Sequence, residues 1–245
     1  MEETNLIFGI RAVIEALRAG KELDKILIQR GLNNELFAEL KRTLKDFPAP
    51  FQFVPPEKLK KITSKNHQGV IAFLSVISYH KTEDLLPQVF EKGKVPLLLI
   101  LDKVTDVRNF GAIARSAECC GVDFIVIPTR GSAQINADAM KTSAGALHRI
   151  PVCREDNLKD VLDYLKESGI YLVACHEKTS KMIHELDLKQ PLAVIMGSEE
   201  DGISAEYSKR CDEAGKIPMS GSISSLNVSV ATGVFLYEVT RQRLG

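Results

Sequence analysis

The residues best suited to chemistry fall in three stretches, each beginning where an apolar run gives out. The first is Asn109-Phe110-Gly111-Ala112-Ile113-Ala114-Arg115. It sets an amide ahead of a helix, then a glycine that permits close approach, then an arginine one turn further on the same face. A guanidinium so placed can clamp a phosphate or a developing oxyanion in two-pronged fashion; taken alone, a capping Asn and a surface Arg describe the stretch as well. The second is Met196-Gly197-Ser198-Glu199-Glu200-Asp201-Gly202, the Gly-rich strand-to-helix turn of the chain. Its three adjacent carboxylates repel phosphate, since like unit charges about 4 Å apart oppose one another by about 4 kcal/mol at an effective dielectric of 20. The turn suits a neutral or cationic ligand, or else is a tight turn with solvated acids. The third runs from Ile217-Pro218-Met219 through Ser220-Gly221-Ser222-Ile223-Ser224-Ser225 to Leu226-Asn227-Val228. There the polar Ser225 and Asn227 stand at the buried end of a last helix that is apolar on most sides, a helix that must be buried against its own sheet, with or without a partner chain.

Other chemistries lack their residues. Neither G-x-x-x-x-G-K-[ST] nor a strand-following G-x-G-x-x-G is present, so the usual phosphate and dinucleotide cradles are absent. The cysteines number 5 with no C-x-x-C spacing, which argues against a disulfide framework or a zinc site. Cys175 and His176 are neighbours on a strand end, where side chains diverge rather than converge as a dyad requires. Histidines 67, 80, 148, 176 and 184 give no i, i+4 pair, and no metal is expected.

Positioning the three stretches takes a scaffold. The chain has 245 residues, 44% of them hydrophobic, which at roughly 150 residues per domain means one full core and a small module. That composition excludes disordered, collagenous and coiled-coil classes. No run nears the ~18 apolar residues of a membrane helix, and residues 1–5 are acidic where a signal peptide would be basic and then apolar. A cytoplasmic protein is expected. Lys+Arg 32 balance Asp+Glu 32 overall, yet up to residue 75 there are twelve basic against nine acidic residues, and from Leu97 onward seventeen against twenty. A cationic front module is suited to polyanions, or else its small excess of charge is ordinary solvated surface.

Residues 1–75 read as a small α/β unit: helices over 11–19, 34–47 and 55–62, strands over 25–29, 51–54 and 69–74. Residues 76–96 read as a linker with one short helix. In 97–245, near-continuous apolar strands (97–101, 124–127, 170–174, 192–196, 215–218) alternate with helical patterns (111–120, 136–147, 157–167, 204–211, 226–243). This alternation predicts a mostly parallel sheet with helices on both faces, in which ligands bind beyond the carboxyl ends of the strands.

In this order and at these spacings the three stretches resemble the motifs of the SPOUT class of RNA methyltransferases, specifically the SpoU branch acting on ribose 2′-hydroxyls. The resemblance covers most of the chain, and the opening Phe8-Gly9-Ile10-Arg11-Ala12-Val13 with its small α/β module is similar to that branch's RNA-binding front domain. One departure is Glu200, which stands where the pattern has a glycine. The resemblance implies a carboxyl-terminal trefoil knot, S-adenosylmethionine as cofactor and a homodimer. It implies that the backbones at Gly197, Ile217 and Leu226, with Gly202 and Met219, hold the cofactor's adenosine. Arg115 is then expected at the reacting ribose, with Asn109, Glu199, Ser225 and Asn227 around it, some of them from the partner chain. The implied substrate is ribosomal RNA, most closely a guanosine of 23S rRNA; a transfer RNA substrate, or a non-catalytic RNA-binding protein on the same scaffold, is the alternative. Arginine is either the base or an anion clamp in this scheme. An arginine side chain holds its proton to about pH 12.5 or beyond, far from the near-neutral value a base needs.

Overall fold

The computed structural model describes residues 6–222 and 225–245. Residues 1–5, and Ile223 and Ser224 of the Ser/Gly loop, lie outside the described residues. The chain divides into two compact units, the first ending at Ser78 and the second beginning at Tyr79.

In the first unit the order is β1 (Leu6–Phe8), α1 (Ile10–Arg18), β2 (Leu23–Gln29), α2 (Glu35–Asp46), β3 (Phe51–Val54), α3 (Pro56–Ile62) and β4 (Val70–Leu74). The sheet runs β1-β4-β2-β3, with β3 an edge strand parallel to β2 and the other pairings antiparallel. Alternation along β2 sends Ile26 and Ile28 to the face covered by α1 and α2, and Leu27 to the face where Val54 and Leu59 pack. α2 begins where Asn34 accepts the Phe37 amide at 2.8 Å and ends before Pro48, which bars helical geometry to the residue preceding it.

The second unit contains β5 (Tyr79–His80), α4 (Thr82–Glu91), β6 (Leu97–Leu101), α5 (Val107–Cys119), β7 (Phe124–Pro128), α6 (Ala137–Thr142), β8 (Val152–Glu155), α7 (Leu158–Glu167), β9 (Tyr171–Cys175), β10 (Leu192–Met196), α8 (Ala205–Ser208), β11 (Glu213–Gly215) and α9 (Val228–Leu244). Its seven strands run β11-β9-β10-β6-β7-β8-β5 and every pairing is parallel. Leu98, Ile100, Ala193 and Ile195 pack with Leu86 of α4 and Leu162 of α7 in one cluster. Leu97, Leu99 and Leu101 point the other way and are equally buried, as are Phe110, Ile113 and Ala114 of α5 and Phe235, Leu236 and Val239 of α9. The expected parallel sheet with helices on both faces is therefore present.

Several boundaries differ from the sequence reading: the helix expected over 204–211 is only Ala205–Ser208, and the strands Leu6–Phe8 and Val152–Glu155 were not expected. Residues 76–96 are not a free linker: β5 joins the sheet edge, and Leu86 and Val89 of α4 enter the core. Thr82 anchors that segment, its amide and hydroxyl donating to Glu155 Oε1 at 2.7 and 2.8 Å. α5 begins at Val107 because Asp106, not Asn109, caps it, accepting the Asn109 amide at 2.7 Å. Asn109 thus lies in the first turn of the helix. The helix expected over 136–147 stops at Thr142, where Ala144 (φ 50°) and Gly145 (φ 90°) turn the chain. The last strand is Glu213–Gly215 rather than 215–218; Pro218 has no amide hydrogen to give a ladder.

Candidate functional site

Because β6, β10, β9 and β11 are parallel, their carboxyl ends and the loops that follow share one edge of the sheet. A cavity of about 440 Å³ opens there. It is lined by the loops 175–178, 196–203 and 216–219, by Met182, and by Ser225, Leu226, Val228 and Ala231 leading into and along α9.

Its floor is the turn after β10. Ser198 and Gly202 exchange backbone hydrogen bonds at 3.2 and 3.0 Å, the Asp201 amide donates to Ser198 Oγ at 3.1 Å, and Gly202 takes φ 65°. This fold-back stacks Gly202 and Ile203 directly on Gly197. A Cβ at position 197 would stand 2.1 Å from the Gly202 carbonyl carbon and 2.3 Å from the Ile203 amide nitrogen, so the position tolerates only hydrogen. Glu200 does not take a positive φ, a conformation that non-glycine residues adopt only at Gln68, Lys103 and Ala144 among the described residues. A side chain at 200 therefore fits the turn without strain. The returning chain is pinned by Asp102 at the end of β6, a buried carboxylate that accepts the Ser204 amide at 2.7 Å.

Glu199 ties the three stretches together. Its Oε1 accepts Asn109 Nδ2 at 3.0 Å, the Val228 amide at 3.2 Å, and Asn227 Nδ2 in a further short contact. Asn227 Nδ2 also donates to Asn109 Oδ1 at 3.1 Å, while Asn227 Oδ1 caps α9 by accepting the Ser229 amide at 3.0 Å and its hydroxyl at 2.6 Å. Position 227 thus needs a donor and an acceptor on one short side chain, which is the reason for Asn over the equally good cap Asp. A carboxylate against the first amide of α9 also meets the positive end of the helix dipole.

Acid predominates around the cavity: Glu177, Glu199, Glu200 and Asp201 line it against Lys178 and Lys216. Burial pushes the Cys175 thiol up to about 12, so it stays protonated at neutral pH and is no nucleophile.

All five residues expected to hold a cofactor, Gly197, Gly202, Ile217, Met219 and Leu226, line this cavity, as do Glu199 and Ser225. Asn109 and Asn227 do not line it but are joined to it through Glu199. Ser225 and Asn227 are exposed rather than set at a buried end, which corrects that expectation; Asn227 is the helix cap, and its hydrogen bonds need no burial. Arg115 stands apart: it is exposed on α5, outside the cavity lining, with no hydrogen-bond or ion-pair partner among the described residues. Binding beyond the carboxyl ends of the strands puts the loops after Leu101 and Ala174 among the expected ligand loops, as the structure has them, but does not single out Glu177, Lys178, Met182 or Lys216 as lining residues or Asp102 as the anchor. Among the described residues no group of three His, Cys, Asp or Glu could hold a metal, and no helix is long and apolar enough to cross a membrane.

A parallel sheet whose strand ends enclose one small-molecule cavity places the chain among ligand-binding α/β proteins. More particularly, it belongs to the SpoU rRNA methylase family: that family's model matches residues 96–237, and a model described as RNA 2′-O ribose methyltransferase substrate binding matches residues 6–79. A Staphylococcus aureus (strain MSSA476) protein, provisionally named a TrmH family tRNA/rRNA methyltransferase, is 37% identical over 99% of this chain and 98% of its own length. The similarly named YacO of Bacillus subtilis (strain 168) is 34% identical over 99% of this chain and 97% of its own. Among solved structures, the SpoU methyltransferase AviRb from Streptomyces viridochromogenes, in complex with the cofactor AdoMet, aligns with a TM-score of 0.63 at 26% identity, covering 98% of this chain and 90% of that one.

Proposed function

We propose that the protein transfers a methyl group from S-adenosylmethionine to a ribose 2′-hydroxyl of RNA, with a guanosine of 23S rRNA as the first acceptor to test. The observation that carries this reading is the convergence of the second and third stretches on one acid-lined cavity, with the first joined to it through Glu199. The residues present fit the cofactor. A volume of about 440 Å³ lies in the range of small-molecule sites. The lining offers carboxylates to a sulfonium, and no Gly-rich phosphate cradle competes. The backbones of Gly197, Gly202, Ile217, Met219 and Leu226 would hold the adenosine, and the lack of room for any Cβ at Gly197 keeps that wall narrow. When bound, the cofactor supplies a methyl group already activated by positive sulfur. What remains for the protein is to orient the acceptor oxygen, exclude water and stabilise the charge the oxygen gains as it loses its proton. Glu199, Asn109 and Asn227 fix the rim where the acceptor enters, Ser225 lies beside them on the cavity wall, and Arg115 clamps a phosphate of the substrate or the developing alkoxide.

The reading includes a homodimer and the carboxyl-terminal knot that goes with the family resemblance. In support of the dimer, α9 exposes Val230, Val234 and Tyr237, at 51, 38 and 65% of their full surface. They recur at i, i+4 and i+7, one apolar stripe on one face. A dimer built on that stripe would also give the unpartnered Arg115 a second chain to act with.

The test is a map of 2′-O-methyl groups in total RNA from a strain lacking the gene, with and without a restored copy. Loss of one 23S rRNA guanosine methyl is expected. Loss of a transfer RNA methyl instead would correct the RNA class, and loss of none would refute the proposal. Equilibrium binding of S-adenosylmethionine to the purified protein separates an enzyme from an RNA-binding scaffold, which should not bind it.

A further inference from the structure

The first unit carries a surface feature that the cavity does not use. Among its described residues, the exposed large hydrophobic side chains are Phe47, Phe51 and Phe53, at 42, 45 and 42%, all within one seven-residue stretch. Phe51 and Phe53 alternate with the buried Val54 and so share one face of β3, the edge strand. Their ring centroids are 5.8 Å apart and nearly perpendicular, and Phe53 meets Phe37 of α2 edge-on at 6.3 Å. Lys41 Nζ lies 4.6 Å over the Phe37 ring. Exposed aromatic rings on an open sheet edge invite aggregation, so the Phe51–Phe53 pair asks for an occupant.

The surrounding charge says which kind. Between residues 6 and 78 there are twelve Lys and Arg against seven Asp and Glu. Lys41 and Lys45 follow Phe37 at i+4 and i+8, on the stripe of α2 that borders the rings. Of the three α2 acids, Glu39 is held by Arg18 at 2.8 Å, while Glu35 and Asp46 fall on the far side of the helix from Phe37 and Lys41. Flat apolar rings bordered by ammonium groups match a ligand with flat apolar faces and a phosphate backbone. Unpaired RNA has both, whereas a duplex hides its base faces.

We propose that Phe51 and Phe53, with Lys41 and Lys45 of α2 at the border, form a stacking platform for unpaired bases of the RNA substrate. This rests on the function proposed above and adds to it the part of the substrate gripped by the first unit: a single-stranded loop or bulge, held by its base faces and by at least one phosphate.

The test compares the full-length wild type with the Phe51→Ala/Phe53→Ala variant for equilibrium binding of a fluorescein-labelled twelve-nucleotide single-stranded RNA at several salt concentrations. Loss of stacking should weaken binding about tenfold or more and leave the slope of log K against log salt unchanged, because no phosphate contact is lost. Lys41→Ala should instead reduce that slope by about one. The chain has no Trp, so Phe51→Trp installs a lone indole that keeps an aromatic ring in place. Its emission should be quenched by the single strand and not by a duplex of the same sequence. A double-Ala variant that binds within twofold of wild type, or an indole indifferent to saturating RNA, overturns the platform. If the wild type still binds RNA and S-adenosylmethionine in those cases, the proposed methyl transfer stands without it; a wild type that binds neither overturns both.

Discussion

Glu199→Ala removes the acceptor on which three donors from two other stretches converge: Asn109 Nδ2 at 3.0 Å, the Val228 amide at 3.2 Å, and Asn227 Nδ2. Hydrogen bonds to a charged group contribute roughly 1.5 to 3 kcal/mol when buried. Glu199 is exposed, so about 0.7 kcal/mol each, near 2 kcal/mol for the set, is the appropriate scale after solvent screening. About 2 kcal/mol of lost positioning corresponds to roughly 30-fold in rate. In stability it is a Tm shift of about 4 to 8 °C for a chain of this size. Glu199→Gln keeps an oxygen at the Oε1 position with a weaker pull on the same donors and should lose about three- to tenfold. Single-turnover methyl transfer at saturating S-adenosylmethionine reads the effect free of cofactor affinity, which matters because Glu199 also lines the cavity. The expected order is wild type, then Gln, then Ala. A Gln variant as slow as Ala would show that the negative charge is needed for itself, and an Ala variant at wild-type rate would show that the cluster positions nothing; either result refutes the reasoning.

Arg115→Ala should abolish methyl transfer while changing S-adenosylmethionine affinity by less than about twofold, since the residue lies outside the cavity lining; calorimetry and a turnover assay on one preparation check both halves. Gly197→Ala should cost at least about 3 kcal/mol and lower Tm by roughly 6 °C or more, with loss of cofactor binding, because every atom the new methyl meets within 2.3 Å is backbone. Gly221→Ala, with nothing within 4 Å of the added carbon, is the control and should be near neutral. Val234→Asp places a charge in the exposed stripe of α9 and should turn a dimer into a monomer by light scattering; an unchanged mass would remove that face from the interface. Hydrogen bonding from Arg241 holds Glu238 down at about 2, below the ~4.3 of an unfolded glutamate. Its contribution is therefore complete above about pH 4.3 and is lost as pH falls towards 2, so Glu238→Gln should flatten the fall of Tm with pH in that window.

The sequence showed most clearly what its local physics dictates. Five-residue apolar runs such as Leu97–Leu101 and Leu192–Met196 are strands buried on both faces, and their limits were legible to the residue. Asn34 and Pro48 bracket α2 in the sequence as they do in space. Short strands were not legible: β8 has only Val152 and Cys153 to offer as an apolar signal, and β5 is two residues held by its neighbour β8. The cap of α5 was ambiguous in the sequence: Asp106 and Asn109, three residues apart, are both residue types that accept helix amides, and spacing alone does not choose between them.

The site was half legible for a related reason. Periodicity identifies which segments are strands but not the order in which they pair, and here the order decides what meets. The first and second stretches follow β6 and β10, which are direct neighbours, so Asn109 and Glu199 come into contact although 90 positions separate them. The third follows β11, which is not beside β10; β9 lies between them. The loop leaving β9 is thereby forced into the gap, and residues 175–178 become a wall of the cavity although nothing in their types proclaims it. The chain must then pass the end of β9 to bring Asn227 and Val228 against Glu199, while the turn after β10 folds flat on Gly197. Read this way, the acidity of the second stretch and the amides of the first and third are parts of a single device. The carboxylate of Glu199 both lines a pocket suited to a cation and holds the two asparagines beside it. This coupling requires substitutions at Glu199 and Asn227 to be non-additive in rate, the double variant losing little more than the worse single one; strictly additive losses would mean that the two residues act independently.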